Sequence, residues 1–271
     1  LRAIKAHAAA VTAQRLQACM PVQAVPAEMA DLAQTLNQML ERLQDDFRRL
    51  SEFASDLAHE LRTPISNMLT QTQVTLATPR ENAAYRDILA SNAEELQRLA
   101  RMVADMLFLA KTERGVDLPH KERFMAADEA RALLDFYEAV ADDKDIRLTV
   151  QGNGSIEGDR LMFRRALSNL LSNALRHAPA GGHVRIMVAE RPAGTEVSVD
   201  NDGEDIDPQV LPRLFDRFYR ADPARAHPTS DGAGLGLAIT KAIVEAHGGL
   251  ISVTSAQGVT CFSMVFPHSD E

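Results

Sequence analysis

The sequence predicts an α+β protein in which a helical hairpin pairs with a second copy into a four-helix bundle and is followed by an α/β sandwich domain. Between Leu36 and Leu61, apolar residues alternate at spacings of four and three, which is typical of a coiled-coil helix. Segments rich in Val, Ile and Thr, typical of strands, begin after residue 145. Helical patterns separate these segments, which predicts helices covering one mixed sheet.

The composition is that of a globular protein with an acidic balance. The chain has 271 residues, of which 45% are hydrophobic, and its formal net charge is −9. The length allows more than one domain, and the negative charge argues against nucleic acid as the main partner. The two cysteines, Cys19 and Cys261, lie far apart and outside any CxxC motif. The sequence therefore predicts no disulfide framework, no structural zinc and a reducing compartment.

The N-terminal 50 residues have the pattern of two helices and a connector. Residues 1–18 are rich in Ala, Pro21 and Pro26 break that helix, and Glu28 opens a second one. This pattern resembles a HAMP signalling module without its beginning, and a short solvated hairpin is the alternative. No apolar run reaches the roughly 18 residues of a membrane span. We therefore expect a fragment whose sensor and membrane segments lie upstream.

The second helix carries a histidine that suggests chemistry. The seam consists of Leu36, Leu40, Leu43, Phe47, Leu50, Ala54, Leu57 and Leu61. His59 follows a seam position by two residues, so its imidazole is expected to face outward. Glu60 lies beside it, and Pro64 is expected to interrupt the helix one turn later. A nucleophilic base next to a carboxylate on a rigid helix indicates a reaction at His59.

The helix is expected to continue past Pro64 to about residue 77 and to turn at residues 78–80. A second amphipathic helix is predicted over about residues 81–112. Two such helices are too thin to bury a core alone, so two hairpins are expected to form a four-helix bundle, which makes a homodimer. The alternative is a monomeric helical arm that packs on the rest of the chain.

The C-terminal half is predicted to begin after a linker at residues 115–119. The predicted strands are 146–150, 183–189, 195–201, 250–254 and 260–266. The predicted helices are 128–140, 159–177 and 235–247.

Two asparagines share one face of a predicted helix. Asn169 and Asn173 are four residues apart, and their amide oxygens can ligate Mg²⁺, a hard cation. Arg176 lies one turn further along, where it can reach a phosphate, and His177 follows. Taken alone, such asparagines are usually surface residues.

A glycine-rich turn, DGAGLGL at residues 231–237, precedes the last predicted helix. Glycines let a ligand approach the backbone closely, and a helix start offers free N–H groups to anions, so a polyphosphate is the expected ligand. The polar loop before the turn excludes a dinucleotide-binding strand motif, and no Gly-Lys-Ser/Thr follows as in a P-loop.

Two further segments fit a nucleotide site. Residues 201–206, NDGEDI, follow a strand and can present acceptors to the amine of adenine, although an ordinary Asp-Gly turn is the alternative. Residues 214–220, LFDRFYR, place three aromatic and two arginine side chains before a polar loop at 221–231. That loop is placed to act as a nucleotide lid, and the aromatic residues also suit a small satellite core.

Together these motifs, in this order over about residues 30–266, resemble the sensor histidine kinases of two-component signalling. The matching segments are the H-box at 51–64, the N-box at 169–173, the first glycine box at 201–206, the F-box at 214–219 and the second glycine box at 232–237. The resemblance implies a partial HAMP module at 1–50, a dimerisation and phosphotransfer hairpin at 51–114, and a catalytic ATP-binding sandwich of the histidine kinase, gyrase and chaperone type at 115–271.

The resemblance also implies roles for individual residues. His59 is the expected phosphoacceptor, Glu60 the general base or orienting group, and Thr63 the group that positions water during dephosphorylation. Mg²⁺ is expected at Asn173, assisted by Asn169. The other expected ATP-binding residues are Arg176, His177, Asn201, Gly203, Ile206, Phe215, Phe218, Arg220, Gly232, Gly234, Leu235, Gly236 and Leu237.

One residue departs from the family pattern. The first glycine box usually begins with an aspartate that reads adenine, and Asn201 stands there, with Asp205 in place of the second glycine. Asn201 can accept the adenine amine without charge, or Asp200 or Asp202 can replace it, and weaker nucleotide affinity is expected. In having an asparagine at this position and in the sequence of residues 51–64, the chain is similar to heavy-metal sensor kinases, especially copper and silver sensors.

The family implies an activity and its partners. ATP phosphorylates His59, and the group passes to an aspartate on the receiver domain of a response regulator, with phosphatase activity as well. The expected location is the cytoplasmic portion of a bacterial inner-membrane protein. Two other classes stay open: an ATP-driven conformational machine of the gyrase and chaperone type, which would not need His59, and a non-catalytic dimeric scaffold.

Overall fold

The computed structural model describes residues 27–112, 118–220 and 234–268. The chain forms two compact units, Leu1–Leu89 and Ala90–Glu271. The expected helix over residues 1–18, most of the linker, the loop at 221–231 and Gly232 lie outside the described residues.

The seam helix is continuous through its proline. Helix α1 spans Ala27–Leu76, and Pro64 lies inside it. The expected interruption at Pro64 is therefore wrong: a proline removes one backbone donor, and the remaining hydrogen bonds of a 50-residue helix continue on either side. Thr75, near the end of α1, is only 4% exposed.

The predicted turn and second helix are confirmed. Residues 77–81 are not helical, and α2 spans Asn82–Thr112. Its buried residues recur at spacings of three and four, as one apolar stripe requires. They are Leu99, Met102, Met106 and Leu109. Among the residues placed by the structure, no helix has both the length and the apolar character of a membrane span.

The sandwich is built on a five-stranded mixed sheet with the order β2-β4-β5-β7-β6. The strands are β2 (Arg147–Asn153), β4 (His183–Arg191), β5 (Gly194–Asp202), β6 (Leu250–Ala256) and β7 (Val259–Phe266). Only β2 and β4 pair in parallel; the other neighbours are antiparallel. All five predicted strands are confirmed.

Three helices pack on the sheet, and all three were predicted. They are α3 (Ala126–Asp142), α4 (Arg160–His177) and α5 (Gly236–Ala246). Strand β7 shows the two-residue period of a half-buried strand, with Phe262, Met264 and Phe266 nearly inaccessible and the intervening residues partly exposed. The core therefore lies between this face and the helices.

Two short strands and one helical turn were not predicted. Strands β1 (Lys121–Met125) and β3 (Ser155–Asp159) form a separate antiparallel pair, and a 3₁₀ helix spans Leu211–Arg213. Strand β1 buries only Phe124. The pattern of β1 is too polar and too short to be distinguished from a loop before its partner is known.

A partly buried histidine joins two distant parts of the sandwich. The Nδ1–H of His247 donates to the Ile243 carbonyl at 2.7 Å, and its Nε2 accepts the Asp159 N–H at 2.9 Å. A Cβ on Gly158 would lie 2.2 Å from the imidazole, so glycine is needed for this approach. Burial lowers the pKa of His247 from its ordinary value of 6.5, against the opposing effect of the Ile243 and Asp159 contacts.

We expect His247→Gln to lower the free energy of unfolding by about 1–3 kcal/mol at pH 8, because a buried backbone donor loses its partner. Because the pKa of His247 is lowered in the folded state, its neutral imidazole contributes its full stabilisation above pH 6.5. This contribution is lost as the pH falls through the folded-state pKa. The difference between the two proteins in urea unfolding should therefore shrink from pH 8 to pH 5. A constant difference would contradict a role for the neutral imidazole.

Candidate functional site

The two asparagines and the second glycine box meet at the start of α5. The Asn169 Nδ2 on α4 donates to the Gly236 carbonyl at 3.1 Å. Thr240, one turn further along α5, is fully buried and donates from its hydroxyl to the same carbonyl at 2.9 Å. With its nitrogen engaged in this way, the Asn169 side chain presents its oxygen as the remaining polar group.

Gly234 lies against the backbone of the F-box. Its φ is +71°, and a Cβ would approach the Phe218 Cα and carbonyl carbon to 2.9 Å. The Phe218 N–H donates to the Gly234 carbonyl at 3.0 Å. A side chain at Gly234 is excluded both by backbone conformation and by the lack of space.

The F-box is anchored on the sheet by an aromatic contact. The rings of Phe215 and Phe262 meet edge-to-face with centroids 6.2 Å apart. On the other side, the Arg213 guanidinium lies 4.4 Å from the centroid of the Tyr219 ring. The ring contact fixes the segment against the sheet, and Phe218 within the segment meets the glycine turn.

The remaining expected residues of this region take different positions. Leu235 precedes α5 and is 2% exposed, so it packs in the core, whereas Leu237 in the first turn is partly exposed. Arg220 is exposed at the end of a described segment. Gly232 lies outside the described residues.

Strand β5 separates Asn201 from its neighbouring aspartates. Its residues alternate between buried and partly exposed, and Asn201 is 3% exposed on the buried, helix-facing side. The Asn201 Nδ2 donates to the Asp202 carbonyl at 3.1 Å. The amide nitrogen of Asn201 is thus engaged at the end of the strand.

The two aspartates face the opposite side of the sheet. Asp202 accepts the His183 N–H at 2.9 Å and lies 3.7 Å from the Arg185 guanidinium. Asp200 pairs across the sheet with Cys261, and burial, followed by the carboxylate of Asp200, raises the pKa of that thiol to about 12. Both carboxylates therefore lie on the other side of β5 from the Asn201 side chain.

The rest of the first glycine box is held by the turn between β6 and β7. The Gly203 N–H donates to the Gly258 carbonyl at 2.9 Å, and Asp205 accepts the Gly258 N–H at 2.7 Å. The Ile206 N–H donates to Ser255 Oγ at 2.9 Å. Asp205, which replaces the second glycine of the family pattern, thus acts as a clamp on this turn.

The C-terminal end of α4 lies beside the first glycine box. A Cβ on Gly203 would approach the His177 carbonyl oxygen to 3.4 Å. Although the His177 side chain is exposed, its pKa is lowered from 6.5, first by partial burial and then by the cations Arg176 and Lys144. Lys144 also donates to the Leu175 carbonyl at 2.9 Å and so caps the helix. The imidazole is therefore favoured in its neutral form.

On α1, the side chains of His59 and Thr63 are both exposed and lie one turn apart on one face, and Glu60 is partly buried. The prediction that His59 faces outward is confirmed. Leu57, Leu61, Pro64 and Met68 form a partly buried stripe, and the 100° turn per residue places His59 on the opposite side.

Two contacts near the site were not predicted from the sequence. Arg165, one turn before Asn169, pairs with Asp105 of α2, and Lys144 caps α4. Both join residues far apart in sequence, and single charged residues at surface positions of a predicted helix give no signal of a partner.

The sequence matches three protein families in succession. Residues 1–45 match the HAMP domain, residues 49–115 the His Kinase A phospho-acceptor domain, and residues 158–270 the histidine kinase-, DNA gyrase B- and HSP90-like ATPase. Together the matches extend over most of the chain, while the bounds 1–50, 51–114 and 115–271 stay predictions.

A curated relative and two solved structures agree with these matches. Sensor histidine kinase CusS of Escherichia coli K12 is 44% identical over 268 residues, which cover 98% of this chain and 56% of that protein. The chain thus spans just over half the length of this relative. Histidine kinase AdeS of Acinetobacter baumannii shares the fold with a TM-score of 0.63 at 22% identity, covering 78% of this chain and 98% of AdeS.

Histidine kinase ThkA, solved in complex with response regulator protein TrrA, has a TM-score of 0.65 at 21% identity, covering 81% of this chain and 63% of that chain. The predicted combination of a phosphotransfer hairpin and an ATPase-type sandwich is confirmed. From the family matches in sequence and the arrangement of the N-box, F-box and glycine boxes, the chain belongs to the sensor histidine kinase family.

Proposed function

We propose that the chain phosphorylates itself on His59 with ATP and transfers the group to an aspartate of a response regulator. The observation that carries this proposal is the junction of Asn169, Gly236, Gly234 and Phe218 at the start of α5. A helix N-terminus after a glycine turn binds phosphates through free N–H groups. Belonging to the ATPase family supports ATP as the nucleotide.

Asn169 and Asn173 fit a Mg²⁺ site by their chemistry. Both are amides on one helix face, and Asn169 has its nitrogen engaged with Gly236, which leaves an oxygen to offer. Mg²⁺, when bound, supplies positive charge to the phosphate oxygens. Arg176, exposed at the end of α4, and Gly234 contribute to the same phosphate region.

The base is read by Asn201. The Asn201 side chain is buried and is held by the bond from Nδ2 to the Asp202 carbonyl, and its amide oxygen can accept from the amine of adenine. Asp202 is directed to the other side of the sheet, where it accepts the His183 N–H, and Asp200 lies on that side beside Cys261. His177, favoured as a neutral ring, suits stacking on the base, and Gly203 and Ile206 form the adjoining wall.

We expect Asn201→Ala to weaken ATP binding roughly tenfold, since one buried hydrogen bond to the base is lost. Asp200→Asn and Asp202→Asn serve as controls and should bind ATP within a factor of two of wild type. Calorimetric titration with a non-hydrolysable ATP analogue measures all three. A larger loss in either aspartate variant than in Asn201→Ala would contradict this assignment.

On the hairpin, the exposed imidazole of His59 forms a bond to the terminal phosphorus of ATP, the bond to the bridging oxygen breaks and ADP leaves, and Glu60 orients the ring or takes its proton. Thr63, one turn away on the same face, positions water for the phosphatase reaction, in which the phosphorylated partner is hydrolysed. The acceptor of the phosphoryl group is a receiver aspartate, a partner suggested by the complex of ThkA with a response regulator.

Incubation with Mg²⁺ and γ-labelled ATP tests the reaction class. A phosphohistidine gives label that is stable to alkali and lost in acid. A gyrase-type machine would instead release labelled phosphate and leave the protein unlabelled. A receiver domain added afterwards should acquire the label, and its failure to do so would contradict the transfer step.

The hairpin pairs with a second copy through two exposed apolar stripes. On α1, Ile65, Leu69 and Leu76 are 50%, 56% and 72% exposed at spacings of four and seven. On α2, exposed leucines and a valine recur at spacings of seven and four: Leu89, Leu96, Val103 and Leu107. Heptad-spaced apolar residues without cover are typical of a helical bundle interface, and the phospho-acceptor family match supports the dimer.

We expect Leu69→Asp to convert the dimer to a monomer at micromolar concentration, because a charge would be buried in the stripe. Thr70→Asp is a matched control, since residue 70 is exposed and lies about 100° around α1 from Leu69. Light scattering after gel filtration gives the mass. A dimer in both variants would show that the stripe is not the interface.

The stimulus of the system is a metal ion such as copper or silver. This proposal is supported by the asparagine in the first glycine box and the similarity to CusS. The expected location is the cytoplasmic side of a bacterial inner membrane, attached through an upstream segment. Metal added to cells that carry the complete protein should change phosphorylation of its regulator, and no response to either ion would contradict it.

A further inference from the structure

Helices α4 and α5 are joined by polar contacts near both ends of α5. At its start, the Asn169 Nδ2 of α4 donates to the Gly236 carbonyl at 3.1 Å. Beyond its end, His247 accepts the N–H of Asp159, the residue before α4, at 2.9 Å. Residue numbers fall along α4 as they rise along α5, so the two helices are antiparallel. At a rise of about 1.5 Å per residue, the stretches between the contacts are about 16 Å long on α5 and about 15 Å on α4.

A buried threonine joins the two helices between these contacts. Thr240 of α5 has no exposed surface, and its hydroxyl donates to the Gly236 carbonyl at 2.9 Å, with the Ala166 carbonyl of α4 at 3.5 Å. A hydroxyl that bonds to the carbonyl four residues earlier is common in helices. Here the same carbonyl is also the acceptor for Asn169. The Thr240 hydroxyl therefore holds the group that orients the Asn169 amide.

These polar contacts fix the position of α5 along α4. The other buried side chains of α5 are apolar, and the attraction between apolar side chains is non-directional. Hydrogen bonds, by contrast, are lost beyond about 3.5 Å. The Asn169–Gly236 bond is 3.1 Å long, so a slide of α5 by roughly 1 Å along α4 breaks it. The contacts of Thr240 and His247 oppose such a slide.

The contact of His247 requires a neutral imidazole. Its Nδ1–H donates to the Ile243 carbonyl, so Nε2 is the acceptor for the Asp159 N–H. In the imidazolium both nitrogens are donors, and two N–H groups would face each other. The Asp159 carboxylate favours the charged form, Lys121 of β1 disfavours it, and the Phe266 ring of β7 meets the imidazole edge-to-face. Burial is the largest influence and lowers the pKa of His247 from 6.5.

We propose that Thr240 and His247 are positioning residues that fix α5 along α4 and thereby hold the glycine turn against Asn169. The inference rests on the proposed function, in which Asn169 and the N–H groups at the start of α5 bind Mg²⁺ and the phosphates. Thr240 is buried, and His247 lies at the opposite end of α5 from the glycine turn. Loss of either contact lets the turn and the asparagine separate, which weakens binding of Mg²⁺ and ATP.

Two substitutions at Thr240 test the role of its hydroxyl. Thr240→Val removes the hydroxyl and keeps the shape of the side chain, whereas Thr240→Ser keeps the hydroxyl. With Mg²⁺ present, the Kd of a non-hydrolysable ATP analogue should rise roughly three- to tenfold in Thr240→Val, the change expected for one lost hydrogen bond. In Thr240→Ser the Kd should stay within a factor of two of wild type. An unchanged Kd in Thr240→Val, or an equal loss in both variants, would overturn the proposal.

Thr195→Val is the matched control for loss of a buried hydroxyl. Thr195 is 1% exposed, and its hydroxyl donates to the Ser155 carbonyl at 2.7 Å, between β5 and β3. This variant should lose as much stability in urea as Thr240→Val and bind the ATP analogue as wild type does. Equal losses of affinity in the two valine variants would show a general effect of stability and would contradict positioning by Thr240.

A pH profile tests His247 in the same way. At pH 8, where urea unfolding shows the protein folded, His247→Gln should raise the Kd of the ATP analogue roughly three- to tenfold. The ratio of its Kd to that of wild type should fall towards one at pH 5, because wild type loses the same contact when the imidazole is protonated. His177 is present in both proteins, so its titration cancels from the ratio. A ratio of one at pH 8, or a ratio independent of pH, would contradict positioning by His247.

A further measurement needs no nucleotide. In Thr240→Val and His247→Gln, amide hydrogen exchange over residues 239–243 of α5 should become faster than in wild type, and in Thr195→Val it should not. If wild type does not bind the ATP analogue, the proposed function fails, and the exchange experiment still decides whether these residues fix α5. Unchanged exchange over residues 239–243 in both variants would overturn the proposal.

Discussion

Replacing His59 by alanine should reduce labelling of the chain by γ-labelled ATP to background. The imidazole is the only group of the proposed reaction that forms a bond to the phosphoryl group, so no alternative acceptor replaces it. The side chain is exposed on the far side of α1 from its partly buried stripe, so its removal leaves that packing intact. Affinity for a non-hydrolysable ATP analogue should therefore equal that of wild type.

His120→Ala provides the control for this experiment. His120 is an exposed histidine before β1 and takes no part in the proposed reaction, so that variant should be labelled as wild type is. Thr63→Ala should keep the label on His59, and a phosphorylated receiver domain should lose its label to water more slowly with this variant than with wild type. Label that persists on His59→Ala would refute the acceptor, whatever the behaviour of the controls.

Replacing Gly234 by alanine should weaken ATP binding by more than tenfold. The residue has a φ of +71°, which costs an L-residue about 1 kcal/mol or more. In addition, the new Cβ would lie 2.9 Å from the Phe218 Cα, a backbone atom that cannot rotate away. The glycine turn and the F-box must separate, which displaces the N–H groups of the phosphate turn. A tenfold loss corresponds to about 1.4 kcal/mol.

Gly181→Ala is the control that separates the effect of backbone strain from the effect of the steric contact with Phe218. Gly181 has a nearly equal φ of +77°, but a Cβ there would meet only Asp145 Oδ2 at 3.9 Å. Both variants should lose similar stability from backbone strain, and only Gly234→Ala should lose nucleotide affinity. Calorimetric titration and urea unfolding measure the two effects. Equal ATP affinity in the two variants would show that the contact with Phe218 does not shape the site.

The long helices and the strands of the main sheet follow from local pattern. Helix α2 was predicted to within a residue, because 31 residues of amphipathic period give a strong signal. Strand β1 gave no such signal in the sequence. Its one buried residue, Phe124, packs against the partner strand β3 and the ring of Phe163, which the local pattern does not show. At Pro64 the sequence predicted an interruption that the structure does not have. A local rule for helix ends was outweighed by the length of α1.

In the candidate site, too, some features follow from the sequence and others only from the tertiary structure. Sequence motifs located the residues around Asn169, Asn201 and Gly234 but left three candidates for reading adenine. The alternation of side chains along β5 separates Asn201 from the two aspartates, and only the packing of the helices on one face of the sheet decides which side is buried. Asp205 became a clamp on Gly258, 53 residues away, which no local pattern indicates.

The sequence by itself determined the family, the helical hairpin and the order of the nucleotide motifs, because each depends on residue type at short spacing. The tertiary structure decided which face of β5 is covered, that Asn169 bonds to Gly236, and that Arg165 reaches Asp105. Arg165 and Asp105 are 60 positions apart in sequence, and Asn169 and Gly236 are 67 positions apart. Their formation depends on how the helices pack on the sheet, and a single side chain carries no information about a distant partner.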